Sequence, residues 1–237
     1  MNYLALCQRV ASESGTVSGV KPTTVVGQVD RLAKIVRWVD DAWRQIQNAH
    51  STWLWMQAEF YGPTVASQQR YAYSAFNDLA TASTITRFAD WIYSSNDVDS
   101  GITIYDPSIG VADEGALIFR DWEWFYRTQL RGTQSEGKPS MFAIAPDSKI
   151  VLSWTPDKVY TIRGRYRKDT QVLAADADIP ELPTRFHDVI VDIALMLLGT
   201  HDEAPTQIPL WRMRQSEKFS NLERDQLPRM SLGDTLA

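Results

Sequence analysis

Asp30-Arg31-Leu32-Ala33-Lys34-Ile35-Val36-Arg37-Trp38-Val39-Asp40-Asp41-Ala42-Trp43-Arg44-Gln45-Ile46-Gln47, the heart of a stretch running from Gly27 to His50, decides the fold class. Leu32, Ile35, Val36, Val39, Trp43 and Ile46 fall on one stripe at helical spacing, and Asp30, Arg31, Lys34, Arg37, Asp40, Asp41 and Arg44 take the other face. The pairs Asp30/Lys34, Arg37/Asp41 and Asp40/Arg44 are spaced i,i+4 for mutual support. The spacing predicts a helix of roughly 36 Å at 1.5 Å per residue. Such a helix needs partners for its apolar stripe, and the segments around it supply them.

On the amino side, Tyr3, Leu4, Leu6, Cys7, Val10 and Ala11 repeat the helical period after an Asn2 cap, and Gly15 ends the run. On the carboxyl side, Phe186, Val189, Ile190, Ile193, Ala194, Leu197 and Leu198 form a broad apolar helix that begins near Pro183 and stops at Gly199. An apolar helix of that kind is buried. A more polar last helix follows, from Ile208 to Asp225, anchored by Leu210, Trp211, Phe219 and Leu222. Between these helices, from about Met56 to Ala177, short β-branched and aromatic runs are punctuated by Gly, Pro, Asn and Asp. Strands are expected at Gln57 to Tyr61, Arg70 to Ala75, Ile85 to Ser94, Ile102 to Tyr105, Ser140 to Ala145, Lys149 to Trp154 and Val159 to Arg167. Pro146-Asp147-Ser148 reads as a hairpin turn, and Ala116 to Arg131 as a short helix. The fold expected is α+β: a helical core from residues 1–56 and 178–226, a β-rich lobe inserted at 57–177, and an extended tail at 227–237.

The 237 residues carry 24 basic and 29 acidic side chains, a formal charge of −5. A protein that grips nucleic acid by its phosphates needs a basic face, and this balance argues against one on the global scale. There are 9 Trp, 9 Tyr and 8 Phe beside only 3 His and 1 Cys, so packing surfaces are plentiful and chemical groups scarce. Cys7 alone forms no intramolecular disulfide or thiolate zinc site. The apolar runs Tyr3 to Cys7 and Val189 to Leu198 are too short for a signal peptide or a span, which implies a soluble protein made in the cytoplasm, with no membrane partner.

His50, His187 and His201 lie apart, and His187-Asp188 are sequence neighbours that do not face each other on a helix. No Gly-x-Ser-x-Gly turn, metal-spaced His or Cys pair, or phosphate loop occurs. Asp97, Asp99 and Asp106 lack the frame of a calcium loop. The expectation is therefore no catalytic residue, no cofactor and no metal.

The strongest charge pattern is Tyr160-Thr161-Ile162-Arg163-Gly164-Arg165-Tyr166-Arg167-Lys168. On a strand, Arg163, Arg165 and Arg167 share one face, while Tyr160, Ile162 and Tyr166 take the other. The following segment, Thr170 to Glu203, is strongly acidic. A solvated sheet face is the plainest reading. Of the sharper ones, a subunit contact pairing Arg163, Arg165 and Arg167 with a neighbour's Asp176 and Asp178 is favoured over nucleic acid by the net negative charge. The tryptophans, with W-x-W pairs at Trp53/Trp55 and Trp122/Trp124, exceed what a core of this size readily holds, and aromatics with arginine are enriched at interface centres.

The amino end is more specific. Met1-Asn2-Tyr3-Leu4-Ala5-Leu6-Cys7-Gln8-Arg9-Val10, then Glu13-Ser14-Gly15, Val36-Arg37-Trp38-Val39-Asp40-Asp41-Ala42-Trp43-Arg44-Gln45-Ile46-Gln47 and Trp53-Leu54-Trp55-Met56 resemble the head-to-tail adaptor proteins of tailed bacteriophages. The resemblance implies a structural virion protein at the capsid-tail junction, in a ring, commonly a dodecamer, bound beneath the portal protein. Its other partners would be neighbouring subunits and tail or nozzle proteins, with DNA passing through unread. It further implies portal contact by the carboxyl tail (Leu227, Arg229, Met230, Leu232) and a tail-facing lobe marked by Trp91, Trp122 and Trp124. The competing reading is a carbohydrate-binding or wall-degrading virion module. Asp90, Asp121 and Glu123, near the same three tryptophans, would then be its carboxylates.

Overall fold

The computed structural model describes residues 1–15, 20–95, 99–202 and 206–228. In chain order its helices are α1 (Tyr3–Glu13), α2 (Asp30–Ala49), α3 (Trp122–Thr128), α4 (His187–His201) and α5 (Ile208–Gln226). The strands are β1 (Gln57–Pro63), β2 (Arg70–Tyr71), β3 (Asn77–Asp78), β4 (Asp90–Ile92), β5 (Thr103–Tyr105), β6 (Gly115–Ala116), β7 (Ile118–Phe119), β8 (Met141–Ile144), β9 (Ile150–Leu152) and β10 (Thr161–Arg167). The fold is α+β. The chain divides into two units, Met1–Met56 with Thr170–Ala237, and Gln57–Asp169.

The first unit is helical. Asn2 caps α1 as its sequence anticipates, its side chain accepting from the Ala5 N–H at 2.9 Å. The stripe of α2 is buried at Ile35, Val39, Ala42, Trp43 and Ile46. Of the charge pairs expected on α2, Arg44 to Asp40 closes at 2.7 Å and Arg37 to Asp41 at 3.6 Å. Lys34 instead meets the His201 ring at 3.2 Å. Trp38, off the stripe, lies 5.3 Å from the same imidazole, with Arg31 over its ring. Trp53 is fully buried and donates its indole N–H to the Ile46 carbonyl at 2.8 Å, with Trp55 stacked 4.3 Å away. This W-x-W pair is core rather than surface.

The helical unit resumes at Thr170, earlier than the expected residue 178, because residues 171–178 are sewn into it. Buried Gln47 exchanges two hydrogen bonds with the backbone of Gln171, at 2.6 and 3.1 Å. The carbonyls of Asp178 and Asp176 accept from Tyr3 and Leu4 at 2.7 and 3.3 Å. α4 is buried nearly all round and runs on past Gly199. Gly199 is there for close approach: a Cβ on it would stand 2.7 Å from the Trp211 ring of α5.

The second unit is built on two sheets. The larger has the order β3-β1-β10-β5-β6, with β4 also pairing β10, and the smaller β2-β9-β8-β7. β1 and β10 run antiparallel in the register Glu59↔Arg165, Tyr61↔Arg163. The expected hairpin at Pro146-Asp147-Ser148 joins β8 to β9, with Ser148 at φ 60°. Phe60, Phe76, Trp91, Ile104, Phe142, Leu152 and Ile162 lead the core between the strands. The helix expected over Ala116 to Arg131 is shorter. Leu117 is fully buried among the two-residue strands β6 and β7, and α3 starts only where the Asp121 side chain caps the Glu123 and Trp124 N–H groups. Arg70 to Ala75 is likewise strand for two residues, then a tight turn at Tyr73–Ala75.

Candidate interaction surfaces

β10 pairs with β1 on one side and with β4 and β5 on the other, so its backbone is held along its length. Alternation then dictates side-chain direction: Ile162 and Tyr166 are buried, and Arg163, Arg165 and Arg167 project from the opposite face, as expected. Arg167 reaches Asp90 at 3.3 Å. Arg163 and Arg165 line an open depression of about 240 Å³ with Glu59, Leu79, Gly101 and Thr103.

The acidic half of the expected contact is used differently. The Asp176 carboxylate accepts from the Val25 N–H at 2.6 Å and the Thr24 hydroxyl at 3.1 Å, in the loop before α2. The Asp178 carboxylate accepts from the Ala174 and Ala175 N–H groups, both at 2.7 Å, which lowers its pKa. Both side chains are spent on their own chain's loop. A carboxylate already holding buried-side donors loses those bonds if it turns outward to a neighbour.

The three lobe tryptophans are not a single surface. Trp91 is core, 4% exposed, with its indole N–H given to the Ser148 carbonyl at 2.7 Å, so its ring offers no surface for contact. Trp122 is half-buried under the Arg70 guanidinium. Trp124 is exposed and forms one wall of a groove of about 590 Å³ with Ser95, Phe119, Arg120, Asp121 and Met141. The carboxylates of the sugar reading do not converge on that groove as an acid/base pair. Asp90 serves Arg167, Asp121 caps α3, and Glu123 pairs with Arg127 at 2.8 Å.

The scarce chemical groups are equally committed. His187 is buried, its Nε2–H donating to the Leu182 carbonyl at 3.1 Å while Nδ1 meets the amino terminus at 2.6 Å, and burial pushes its pKa down. His50 meets Glu223 at 2.7 Å, bridging α2 and α5. Burial pushes the Cys7 thiol up to about 12, which leaves it a packing residue. Asp106 pairs with the Lys158 ammonium, and Asp97 lies outside the described residues. No cluster of three metal-ligating side chains occurs among the described residues. None of their helices is long and apolar enough to cross a membrane.

α5 has two unlike faces. Inward, Trp211 and Leu222 are buried, Lys218 reaches the fully buried Asp192 of α4 at 2.5 Å, and Arg214 lies 3.5 Å from the same carboxylate. Outward, Pro209, Arg212, Met213, Ser216, Glu217, Ser220 and Arg224 line a groove of about 790 Å³. Sequence reading marked α5 as polar but did not single out this face. Its signal is the i,i+4,i+7 recurrence of Met213, Glu217 and Ser220. Of the tail residues expected at the portal, Leu227 ends α5 and Arg229, Met230 and Leu232 lie outside the described residues.

No curated protein matches this sequence. The family profile described as SU10 adaptor protein matches residues 1–235, nearly the whole chain. With its helical unit, its β lobe and its outward-facing charged surfaces, this chain belongs to the SU10 adaptor protein family of phage adaptors.

Proposed function

We propose that the protein assembles into a ring beneath the portal of a tailed phage, joins the capsid to the tail and lengthens the channel through which DNA passes. The family match over residues 1–235 carries this reading. Three physical features support it. The helices α1, α2, α4 and α5 are tied by buried stripes and ion pairs into a stiff unit. The three histidines and Cys7 are buried or engaged, in keeping with a protein that works by binding and without a cofactor. The net charge of −5 keeps a DNA-carrying channel from gripping its cargo.

In this reading the partners are the portal, neighbouring copies in a ring, commonly a dodecamer, and tail or nozzle proteins. The carboxyl tail from Leu227 meets the portal, and the exposed aromatic groove at Trp124 faces the tail, with Trp122 beside it. The mature location is the capsid-tail junction. Mixing the protein with its cognate portal and imaging the product by electron microscopy tests this: a ring seated on the portal is expected, and a protein that stays unbound at high concentration overturns it.

A further inference from the structure

Unpaired charges mark two surfaces. Most charged side chains among the described residues have a partner, but Arg163, Arg165 and Glu59 on the outer face of the larger sheet make no side-chain hydrogen bond or ion pair. Arg212, Glu217 and Arg224 on the outer face of α5 make none either. The contrast within each element is sharp. Arg167, on the same strand as Arg163 and Arg165, is paired with Asp90. Arg214, Lys218, Glu223 and Asp225, on the other faces of α5, pair with Glu13 and Asp192, Asp192, His50 and Arg185 respectively. The residues left over stand on rigid elements and point outward.

We propose that these two surfaces meet between copies: α5 of one copy lies on the outer face of the β10 sheet of the next, with Glu217 between Arg163 and Arg165 and an α5 arginine on Glu59. This deepens the ring reading and rests on it. Each surface holds two arginines and one glutamate, so both signs are present on each, and the attraction comes from setting the glutamate of one against the arginines of the other. Met213, 64% exposed on α5, and half-buried Tyr61, beside Arg163 in the β1–β10 register, supply apolar contact at the centre. A helix laid on a sheet face is an ordinary packing layer. Because the two patches differ, the contact is heterologous, the type that closes rings.

A nucleic acid strand fits the same sheet face less well. Its phosphates would satisfy Arg163 and Arg165 but face Glu59 directly across from Arg165, and the chain as a whole is acidic. A second copy can oppose both signs at once. The pair Asp176 and Asp178, consumed inside its own loop, is replaced here by a carboxylate that is exposed and unpaired.

Charge reversal in the full-length chain tests the contact by sedimentation, alone and with the portal. Arg163→Glu with Arg165→Glu, and separately Glu217→Arg, are each expected to weaken assembly by about tenfold or more, as when opposed charges become like charges. Combining all three substitutions is expected to return most of the loss. Circular dichroism of each variant matching the parent shows that the fold is intact. Reversed variants that assemble like the parent, or a combined variant no better than its components, overturn the contact while leaving the ring standing. A parent chain that forms no ring even on the portal removes the ring reading as well. Retention on fluorescent duplex DNA that falls in the Arg163→Glu, Arg165→Glu variant, with assembly unchanged, reassigns the sheet face to nucleic acid.

Discussion

Asp106 shows how a single residue changes meaning between sequence and structure. In sequence it stands with Asp97 and Asp99 as a loose acidic group. In the fold it is 4% exposed, accepts from the Ser108 N–H at 2.8 Å and hydroxyl at 2.6 Å, and holds the Lys158 ammonium, 52 residues away. Lys158 first, then Ser108, hold its pKa down to about 2. An acid whose pKa is lower in the folded state stabilises the fold above its unfolded value, and that contribution is lost as pH falls through the folded value. Unfolding measured against pH should therefore lose stability between about pH 4 and pH 2. Asp106→Asn should flatten the curve in that window, and an unchanged slope would place the acid sensitivity elsewhere. The tryptophans make the same point. Trp43 could be placed from its stripe, but that Trp53 and Trp91 are buried while Trp124 and Trp154 are exposed follows from neighbours distant in sequence.

Among the elements, those with a long local period were legible. α1, α2, α4 and α5 follow from apolar spacing, and β1, β8, β9 and β10 from alternation with turn residues between. The two-residue strands β3, β6 and β7 were not, because two residues hold no period and exist as strands only through their partners. Gly199 was misread for a related reason. Taken locally, glycine ends helices, but here it sits inside α4 against Trp211. Glycine to alanine in an open helix gains about 1 kcal/mol. Gly199→Ala should instead lose about 1–3 kcal/mol, because the added methyl overpacks the α4–α5 seam. Its Cβ would meet the Trp211 ring at 2.7 Å and Ile208 Cγ1 at 3.2 Å. Urea unfolding, with limited proteolysis of α5 as a second readout, checks this. A more stable variant would mean that Trp211 shifts aside without cost.

At the scale of the whole molecule, assembly is the property to probe. Deleting residues 228–237 should weaken portal binding severalfold or more while leaving the melting transition in place, since Leu227, the last residue packed against the helical core among those described, is kept. Equal binding of the shortened chain in a sedimentation assay would remove the tail from the portal contact. The sequence by itself determined the helical periods, the α+β class and membership of the adaptor family, because these depend on residues close together in the chain or on matching the chain as a whole. Only the tertiary structure decided that Asp176 and Asp178 are spent inside a loop, that Trp91 is core, and that Arg163, Arg165 and Glu217 are left without partners among the described residues. Pairing is settled by whichever groups packing brings within hydrogen-bonding distance, and no spacing along the chain encodes that.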